Sequence, residues 1–466
     1  MKFNRRDFLK YGLGGIGMAS LPMHLSLANP SEDHFLFMLF LEGGADFSYL
    51  FDGRPLEMTQ NKLLSNRIGK EPQLWQGANG TNAWASSLTS PLRPYKNDLS
   101  IINGVFMDKT FAGHNNMIDL IFSGNPLGGD SFLPLVNSKS LSTKNRPLDG
   151  IKKNCGLLSI DPFHTSLIEL ESGDAAELIL RIQKQPSLAK KQAAWDFALS
   201  RMKAGGLLDT AGQWSQGSTN LYNQSAQAQA LANILGSLDM SSLNPDVDLN
   251  FLDLYGRMVQ KNMMRIAIEA TRSFDFTNGQ QDRFFFDTHG IQSDEVHVKL
   301  YQDTVDKIAK TLSYFKNTAY DSARSLLDVT TIVVATEFGR TMRQDNVNFE
   351  TCGTDHNTFC NSFLFAGKGI RGGQVIGASD FQTSTELLSP AHLQLDKDKI
   401  NIMAKPFDFS TEQPLDVLPT EFSDANYLTS GSVINTLFDL FSMPKDMYRR
   451  KNTGALAYPS LRTLLK

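Results

Sequence analysis

The chain has 466 residues, with 45 Lys and Arg residues against 49 Asp and Glu residues and a formal net charge of −4. This near balance excludes the strongly basic surface that binds nucleic acid, so no nucleic-acid partner is predicted. Apart from its first 28 residues, no segment is long and apolar enough to cross a bilayer, so no integral membrane span is predicted.

Taken in chain order, the first feature is a leader over residues 1–28. Asn4–Lys10 contains two adjacent arginines followed by Phe-Leu-Lys, and a glycine-rich, mildly apolar stretch with small residues at its end continues to Ala28. The segment resembles the twin-arginine (Tat) export signal, and its glycines make it too weakly apolar for a membrane anchor. We expect cleavage near Asn29 and a mature protein, residues 29–466, that is periplasmic or secreted.

The mature chain contains short apolar runs that predict buried strands, each bounded by glycine or polar residues. Four of them are Phe35–Leu41, Leu99–Asn103, Thr331–Ala335 and Phe363–Ala366. A fifth run, Phe284–Phe286, precedes a helical pattern in which apolar residues recur at Val296, Leu300, Ile308, Leu312 and Phe315. Strand, helix and strand in this order predict a βαβ unit in a largely parallel sheet.

A different pattern covers about residues 186–272. Helical periodicity is present near Ser225–Leu238 and Leu249–Ala270, and Gly205-Gly206 ends an earlier helix. We interpret this stretch as a helical insertion in a single α/β domain that spans residues 29–466.

Polar residues follow the predicted strands, where open α/β sheets place their ligand sites. In chain order these residues are Asp46, His114, Asp287, His289, Glu337, Arg340, Asp355 and His356. Asp287 and His289 are two apart on an extended chain, so their side chains face the same way. Each motif alone is also explained by a structural hydrogen bond, an ion pair or a helix cap.

The set as a whole predicts a divalent metal site. Three of the eight histidines lie in these turns, whereas His34, His164, His297 and His392 have no such neighbourhood and are interpreted as structural or surface residues. Imidazole with carboxylate suits Zn or Mn, and carboxylate-rich sites also accept Mg or Ca.

The three cysteines allow two interpretations, a disulfide or buried thiols. Export makes a disulfide between Cys352 and Cys360 possible, on either side of Asp355 and His356. The alternative is that both, together with Cys155, are buried thiols.

Five motifs together resemble the bacterial family called domain of unknown function 1501. The strongest stretch lies between residues 284 and 380, and the Tat signal is also usual in that family. The motifs are Leu41–Gly44, Phe286–His289, Val334–Thr341, Gly353–His356 and Gly367–Gly377.

The resemblance implies an alkaline phosphatase/sulfatase-like α/β sandwich with metals at the strand ends. It further implies that Asp287, His289 and His356 bind one ion, and that Asp46 and Glu337 bind another, with Asp355 beside them. Metals in such sites polarise an ester and stabilise the charge of its transition state.

The resemblance also implies a nucleophile at the start of a helix that ends at Ser123-Gly124, but His114 stands there and Thr110 is the nearest hydroxyl. His114 is therefore a ligand or an unusual nucleophile, or water attacks instead, or the chemistry has been lost.

The functional prediction is an exported, metal-dependent hydrolase of a phosphate or sulfate ester. His114 lies at its metal centre, and Arg340 reaches the anionic group unless it serves in a structural ion pair. The alternative is a non-catalytic periplasmic metal-binding protein that binds an anionic glycan or a partner protein.

Overall fold

A computed structural model of the chain describes the following residues: 33–53, 72–108, 110–128, 131–133, 136, 146, 150–153, 155, 167–170, 247–270, 286, 294–340, 356–381, 402–417, 423–443 and 458–466. The predicted leader and most of the predicted helical insertion lie outside these ranges.

The described residues form the following strands: β1 Phe35–Phe40, β2 Gln73–Gln76, β3 Asn82–Ala85, β4 Leu99–Val105, β5 Gly150–Lys153, β6 Leu167–Leu170, β7 Ile266–Ala270, β8 Thr330–Ala335, β9 Gly339–Arg340, β10 His356–Asn357, β11 Asn361–Gly367, β12 Val375–Ile376, β13 Ser379–Phe381, β14 Ile402–Ala404, β15 Phe407–Asp408 and β16 Gln413–Pro414. The α-helices among them are α1 His114–Ser123, α2 Val247–Gln260, α3 Asp294–Asn317, α4 Leu326–Val329 and α5 Ser430–Leu440. Short 3-10 helices cover Phe47–Tyr49, Ser87–Tyr95, Asp424–Asn426 and Arg462–Leu464.

One sheet of eight strands organises the molecule, in the order β12-β4-β11-β8-β1-β7-β5-β6. Neighbouring strands are parallel except at β11, which runs antiparallel to both β4 and β8. The carboxyl ends of β1, β4, β7 and β8 therefore meet at one edge of the sheet, together with the amino end of β11. The predicted α/β class and largely parallel central sheet are confirmed.

Helices cover both faces of this sheet, because its central strands are apolar on both sides. In β1, Phe35, Phe37 and Leu39 face a core built with α2 and α3, whereas Leu36, Met38 and Phe40 face a second core built with α1 and α5. All six side chains are almost fully buried. The result is a sandwich of helix, sheet and helix layers.

The predicted βαβ unit is present, and among the described residues its first strand differs from the predicted one. The predicted helix is α3, and it leads into β8 as expected. Phe286, the described residue of the run Phe284–Phe286, lies in a turn. Among the described residues, the last strand before α3 is β7, which like β8 pairs in parallel with β1.

The helix predicted over Leu249–Ala270 is wrong beyond Gln260. There α2 ends, Asn262 takes a left-handed backbone conformation at φ 55, and the chain enters β7. Every residue of β7 is buried, so the strand lacks the alternation of apolar and polar residues that separates a strand from a helix. Residues 247–270 thus belong to the sheet and its covering layer, while the predicted insertion over about 186–246 stays a prediction.

Among the helices that the structure describes, none combines the length and the apolar character needed to cross a membrane.

Candidate functional site

The carboxyl edge of the sheet brings together segments that are far apart in sequence. Gly43 and Asp46 follow β1, Glu337 follows β8, and α1 begins at His114 after β4. His356 lies in β10, which pairs with β9 so that His356 stands opposite Arg340. The predicted site residues that the structure describes therefore share one edge.

Glu337 holds His114 in a fixed orientation. The Nδ1 atom of His114 lies 2.8 Å from Oε1 of Glu337, and the backbone N–H of Gly43 donates to the same oxygen at 2.6 Å. Since a carboxylate only accepts hydrogen bonds, Nδ1 of His114 carries a proton, and in the neutral ring Nε2 then carries the lone pair. Glu337 is fully buried, so this contact is shielded from water and strengthened accordingly.

His356 is oriented in the same sense. Its Nδ1 donates to the backbone carbonyl of Ala112, again a group that only accepts. The rings of His114 and His356 meet edge to face with their centroids 4.4 Å apart, and His356 lies 4.3 Å from the ring of Phe338. In their neutral forms, the two neighbouring imidazoles therefore both have the Nδ1–H tautomer, with Nε2 as the electron-pair donor.

Asp46 is positioned by the turn after β1. It caps the 3-10 helix Phe47–Tyr49, with Oδ1 accepting from the Ser48 N–H at 2.9 Å, and its own N–H donates to the Tyr301 hydroxyl at 2.6 Å. Burial raises the pKa of Asp46 to about 6. The side chain thus remains an anion at neutral pH, in a site that favours a nearby cation.

Arg340 is directed at the backbone of the same turn. Its Nε donates to the carbonyl of Gly44 at 2.9 Å, and its Nη2 donates to the carbonyl of Gly43. The guanidinium also lies over the Phe338 ring, 5.4 Å from the centroid, and Arg340 is 2 % exposed. These contacts make Arg340 a residue that holds the Gly43-Gly44 turn in place.

The turn itself requires glycine. Gly44 has φ +80, and a Cβ there would lie 2.2 Å from a ring carbon of Phe338. The backbone can thus approach the Phe338 ring, which in turn contacts His356.

Three of the predicted ligands, Asp287, His289 and Asp355, lie outside the described residues, as does Cys352. The residue before the first of them, Phe286, donates its N–H to the carbonyl of Glu42 at 3.0 Å. This contact places Phe286 at the same edge. Within the described ranges alone, no group of three or more His, Cys, Asp or Glu side chains converges on a point that could hold an ion.

The proposed pairing of Cys352 with Cys360 likewise stays a prediction. Cys360 is buried, with its Sγ 3.7 Å from an oxygen of Asp52.

Two residues of this edge were not singled out from the sequence. Thr336 Oγ1 accepts from the Ala45 N–H at 2.9 Å and donates to the Leu41 carbonyl at 2.7 Å, which ties the end of β8 to the turn after β1. Tyr301 lies on the buried face of α3, and nothing in the sequence indicates a role for its hydroxyl. Thr336, directly before Glu337 in the predicted strand end, could have been noticed as an additional polar residue.

The fold and this edge define an α/β protein with a histidine–carboxylate site at the carboxyl ends of its parallel strands. Residues 254–395 match a family described as "Protein of unknown function (DUF1501)". This match confirms the resemblance inferred from the motifs over that segment; the motif Leu41–Gly44 lies outside it. A search of curated proteins returns no match.

Several solved structures are similar to this chain at low sequence identity. One is the lipoteichoic acid synthase LtaP from Listeria monocytogenes, with 9% sequence identity and a TM-score of 0.31; the match covers 74% of this chain and 68% of that one. Another is the PsFucS1 sulfatase from Pseudoalteromonas sp., with 12% identity and a TM-score of 0.31; the match covers 73% of this chain and 64% of that one. A third is a protein in the alkaline phosphatase superfamily from Vibrio parahaemolyticus, with 10% identity and a TM-score of 0.33; the match covers 90% of this chain and 89% of that one. These scores are too low to support an argument about the site, which rests on the residues above.

Proposed function

We propose that the carboxyl edge of the sheet is a divalent metal site that hydrolyses a phosphate or sulfate ester outside the cytoplasm. The observation that carries the proposal is the shared tautomer of His114 and His356. Metal-binding histidines characteristically donate their second ring nitrogen to a carboxylate or a backbone carbonyl, which orients the lone pair of the other nitrogen. Glu337 and the Ala112 carbonyl supply these two acceptors.

The donor set fits such an ion. His114 and His356 would bind through Nε2, with Asp287, His289 and Asp355 as the further predicted ligands, and imidazole with carboxylate favours Zn or Mn over a purely oxygen-bound ion. When bound, the ion would supply Lewis-acid polarisation of the ester. Asp46 would contribute a carboxylate from the neighbouring turn.

The contacts of Glu337 give it a second role beside that of a predicted ligand. Its Oε1 already accepts from His114 and from Gly43. We therefore place Glu337 as the residue that orients His114, as second carboxylates do in metal sites.

The start of α1 would hold the anionic part of the substrate. His114 is the first residue of this ten-residue helix, whose first N–H groups and dipole favour negative charge. Arg340 would act indirectly, because its donors hold the Gly43-Gly44 turn. With His114 as a ligand, the attacking group is water or the hydroxyl of Thr110.

The test is the substitution His114→Ala in metal-loaded protein, with activity measured on panels of phosphate monoesters, phosphodiesters and sulfate esters. We expect turnover to fall about 10³-fold, and metal content measured by mass spectrometry to fall with it. The matched control is Asn115→Ala, because Asn115 is the next residue of α1 and is exposed. It should retain both activity and metal.

Two further outcomes discriminate between the alternatives. If Thr110→Ala abolishes turnover while metal content stays unchanged, Thr110 is the nucleophile. If the fully loaded protein turns over no ester in any panel, the hydrolase proposal is wrong. The site then belongs to the alternative function, a protein that binds an anionic glycan or a partner protein.

A further inference from the structure

The loop from β4 to α1 contains a buried carboxylate, Asp108, to which no role has yet been given. Asp108 is 1 % exposed, and its Oδ1 accepts from the backbone N–H of Thr110 at 2.6 Å and from that of Phe111 at 3.0 Å. An aspartate that accepts from the backbone two and three residues further on fixes the direction of a loop. The N-cap of α1 is Gly113, which has no side chain with which to cap the helix. Asp108 thus holds the loop that leads to His114.

The backbone of Asp108 is tied to a second loop of the site. Thr358 lies in the turn between β10 and β11, two residues after His356, and is 1 % exposed. Its hydroxyl donates to the carbonyl of Asp108 at 2.7 Å. In return, the N–H groups of Met107 and Asp108 donate to the carbonyl of Thr358 at 2.9 and 3.4 Å. The loops that carry His114 and His356 are therefore joined at Asp108 and Thr358.

The contact that orients His356 spans these two loops. The Ala112 carbonyl accepts from Nδ1 of His356, and Ala112 directly follows Phe111, whose N–H donates to Asp108. Asp108 therefore positions the carbonyl on one side of this contact. Through Thr358 it also positions the backbone that carries the imidazole on the other side. Because a hydrogen bond is lost beyond about 3.5 Å, a shift of about 1 Å between the loops would break this one.

A comparable turn elsewhere in the chain shows what a purely local role looks like. Oδ1 of Asp321 accepts from the N–H of Ala323 at 2.9 Å and from that of Arg324 at 2.8 Å, which is the same pair of contacts. Asp321 is exposed, and its turn connects α3 to α4 before β8 begins. Asp108 differs in being buried and in holding a loop that supplies the acceptor of a site histidine.

We propose that Asp108, assisted by Thr358, is a positioning residue of the metal site. It keeps the Ala112 carbonyl on Nδ1 of His356 and so keeps the Nε2 lone pair directed at the ion; the proposal thus rests on the proposed function. Without Asp108, the ring would be free to rotate and to carry its proton on Nε2, which then no longer binds a cation. Since Asp108 also accepts from the N–H of Thr110, it fixes the backbone that carries the alternative attacking group.

The test measures the tautomer of His356 in the mature, metal-free protein, so it needs no catalytic activity. Two-bond ¹H–¹⁵N correlation spectra of histidine-labelled protein, at a pH where the ring is neutral, show which ring nitrogen carries the proton. The signals of His356 are assigned by their loss in His356→Gln. Titration calorimetry with Zn²⁺ then gives Kd for the metal.

We expect the wild-type protein to have the proton of His356 on Nδ1. In Asp108→Ala the signals should change to a mixture of both tautomers, and the Kd for Zn²⁺ should rise about 10–100-fold, the usual effect of losing a group that orients a metal-binding histidine. Asp108→Asn keeps an oxygen that accepts from the same two N–H groups, so it should retain the wild-type tautomer and Kd.

Substitutions of Thr358 test the same junction from the other loop. Thr358→Val removes the hydroxyl at nearly constant shape and should change the tautomer in the same direction as Asp108→Ala, whereas Thr358→Ser should not. This pair decides the question if Asp108→Ala fails to fold. The matched control is Asp321→Ala, which removes the same kind of turn contact away from the site. It should leave the tautomer and the Kd unchanged.

The proposal is overturned if the folded Asp108→Ala and Thr358→Val variants keep the wild-type tautomer and Kd. It is equally overturned if Asp108→Asn behaves as Asp108→Ala does. A proton on Nε2 of His356 in the wild-type protein would refute both this proposal and the tautomer on which the proposed function depends. If the variants change the tautomer and Kd as expected but the metal-loaded wild type hydrolyses no ester, only the proposed hydrolysis is refuted.

Discussion

At the level of single residues, the histidines of this protein occupy two kinds of environment. His114 and His356 are partly exposed at the carboxyl edge, and each donates Nδ1–H to an acceptor so that Nε2 faces the proposed metal. His34 is instead enclosed at the amino edge, with Nε2 2.7 Å from the Thr331 hydroxyl and its ring stacked 4.2 Å from that of Phe441. The first two are proposed to serve chemistry, and the third serves packing.

The buried state of His34 predicts a pH dependence of stability. Its folded pKa of about 3 lies below the unfolded value of 6.5, mainly because burial disfavours the charged ring. The unfolded chain therefore binds the extra proton first, and stability that is fully present above pH 6.5 is lost as the pH falls toward 3. At pH 5 this loss is about 2 kcal/mol.

The variant His34→Gln keeps a hydrogen-bonding group for Thr331 but does not titrate. Urea unfolding at pH 7 and pH 5 should show that the variant loses about 2 kcal/mol less than the wild type over this interval. Equal losses in the two proteins would show that His34 does not carry this dependence.

Among the elements, the turn after β1 has the strictest requirements. It supplies the Gly43 N–H to Glu337, receives two donors from Arg340, and leads into Asp46. Thr336 ties it to the end of β8. The orientation of His114 therefore depends on a turn that contains no histidine of its own.

Two glycine substitutions separate the contributions to this turn. Gly44→Ala places a methyl group against the Phe338 ring at a positive φ, whereas Gly80→Ala has a similar φ of +87 with no atom within 4 Å of the new Cβ. Backbone strain alone should destabilise Gly80→Ala by about 1–2 kcal/mol, and overlap with Phe338 should raise the loss in Gly44→Ala to about 3 kcal/mol.

Urea unfolding measures both losses. Metal retention should fall only in Gly44→Ala, because only that turn contacts Glu337 and Phe338. Similar losses of stability in the two variants would mean that the Phe338 ring moves aside, and that the close approach at Gly44 is not required.

At the scale of the whole molecule, the sheet places the proposed site at one edge. The carboxyl edge gathers carboxylates and histidines that suit a cation. Parallel strands produce this arrangement, since all of their carboxyl ends lie on one side. The proposed export of the protein would place the carboxyl-edge site in contact with extracytoplasmic esters.

Export is tested by replacing Arg5 and Arg6 with lysine. The charge is kept, but the guanidinium pair that a twin-arginine receptor reads is lost, so uncut precursor should accumulate in the cytoplasm. Cell fractionation followed by immunoblotting measures this, with replacement of Lys10 by arginine as the control. Normal periplasmic accumulation of the double-lysine variant would contradict a twin-arginine signal.

Much of the framework could be predicted from the sequence because its signals are local. β1, β4, β8 and β11 each correspond to a predicted apolar run, and α1 begins at His114 and ends at Ser123 as predicted, with Gly124 closing it at φ 74. The long helix α3 was predicted from the helical spacing of its apolar residues. Strand β7 was not predicted, because a strand buried on both faces resembles part of a helix.

The sequence by itself determined which polar residues stand at strand ends, and hence that Asp46, His114, Glu337 and His356 would share one edge. Only the tertiary structure decided what each side chain does there. His114 and Glu337 are 223 residues apart, and Arg340 reaches Gly43 across 297 residues. Spacing along a chain specifies elements, whereas hydrogen-bond direction and charge compensation depend on atoms that only folding brings together.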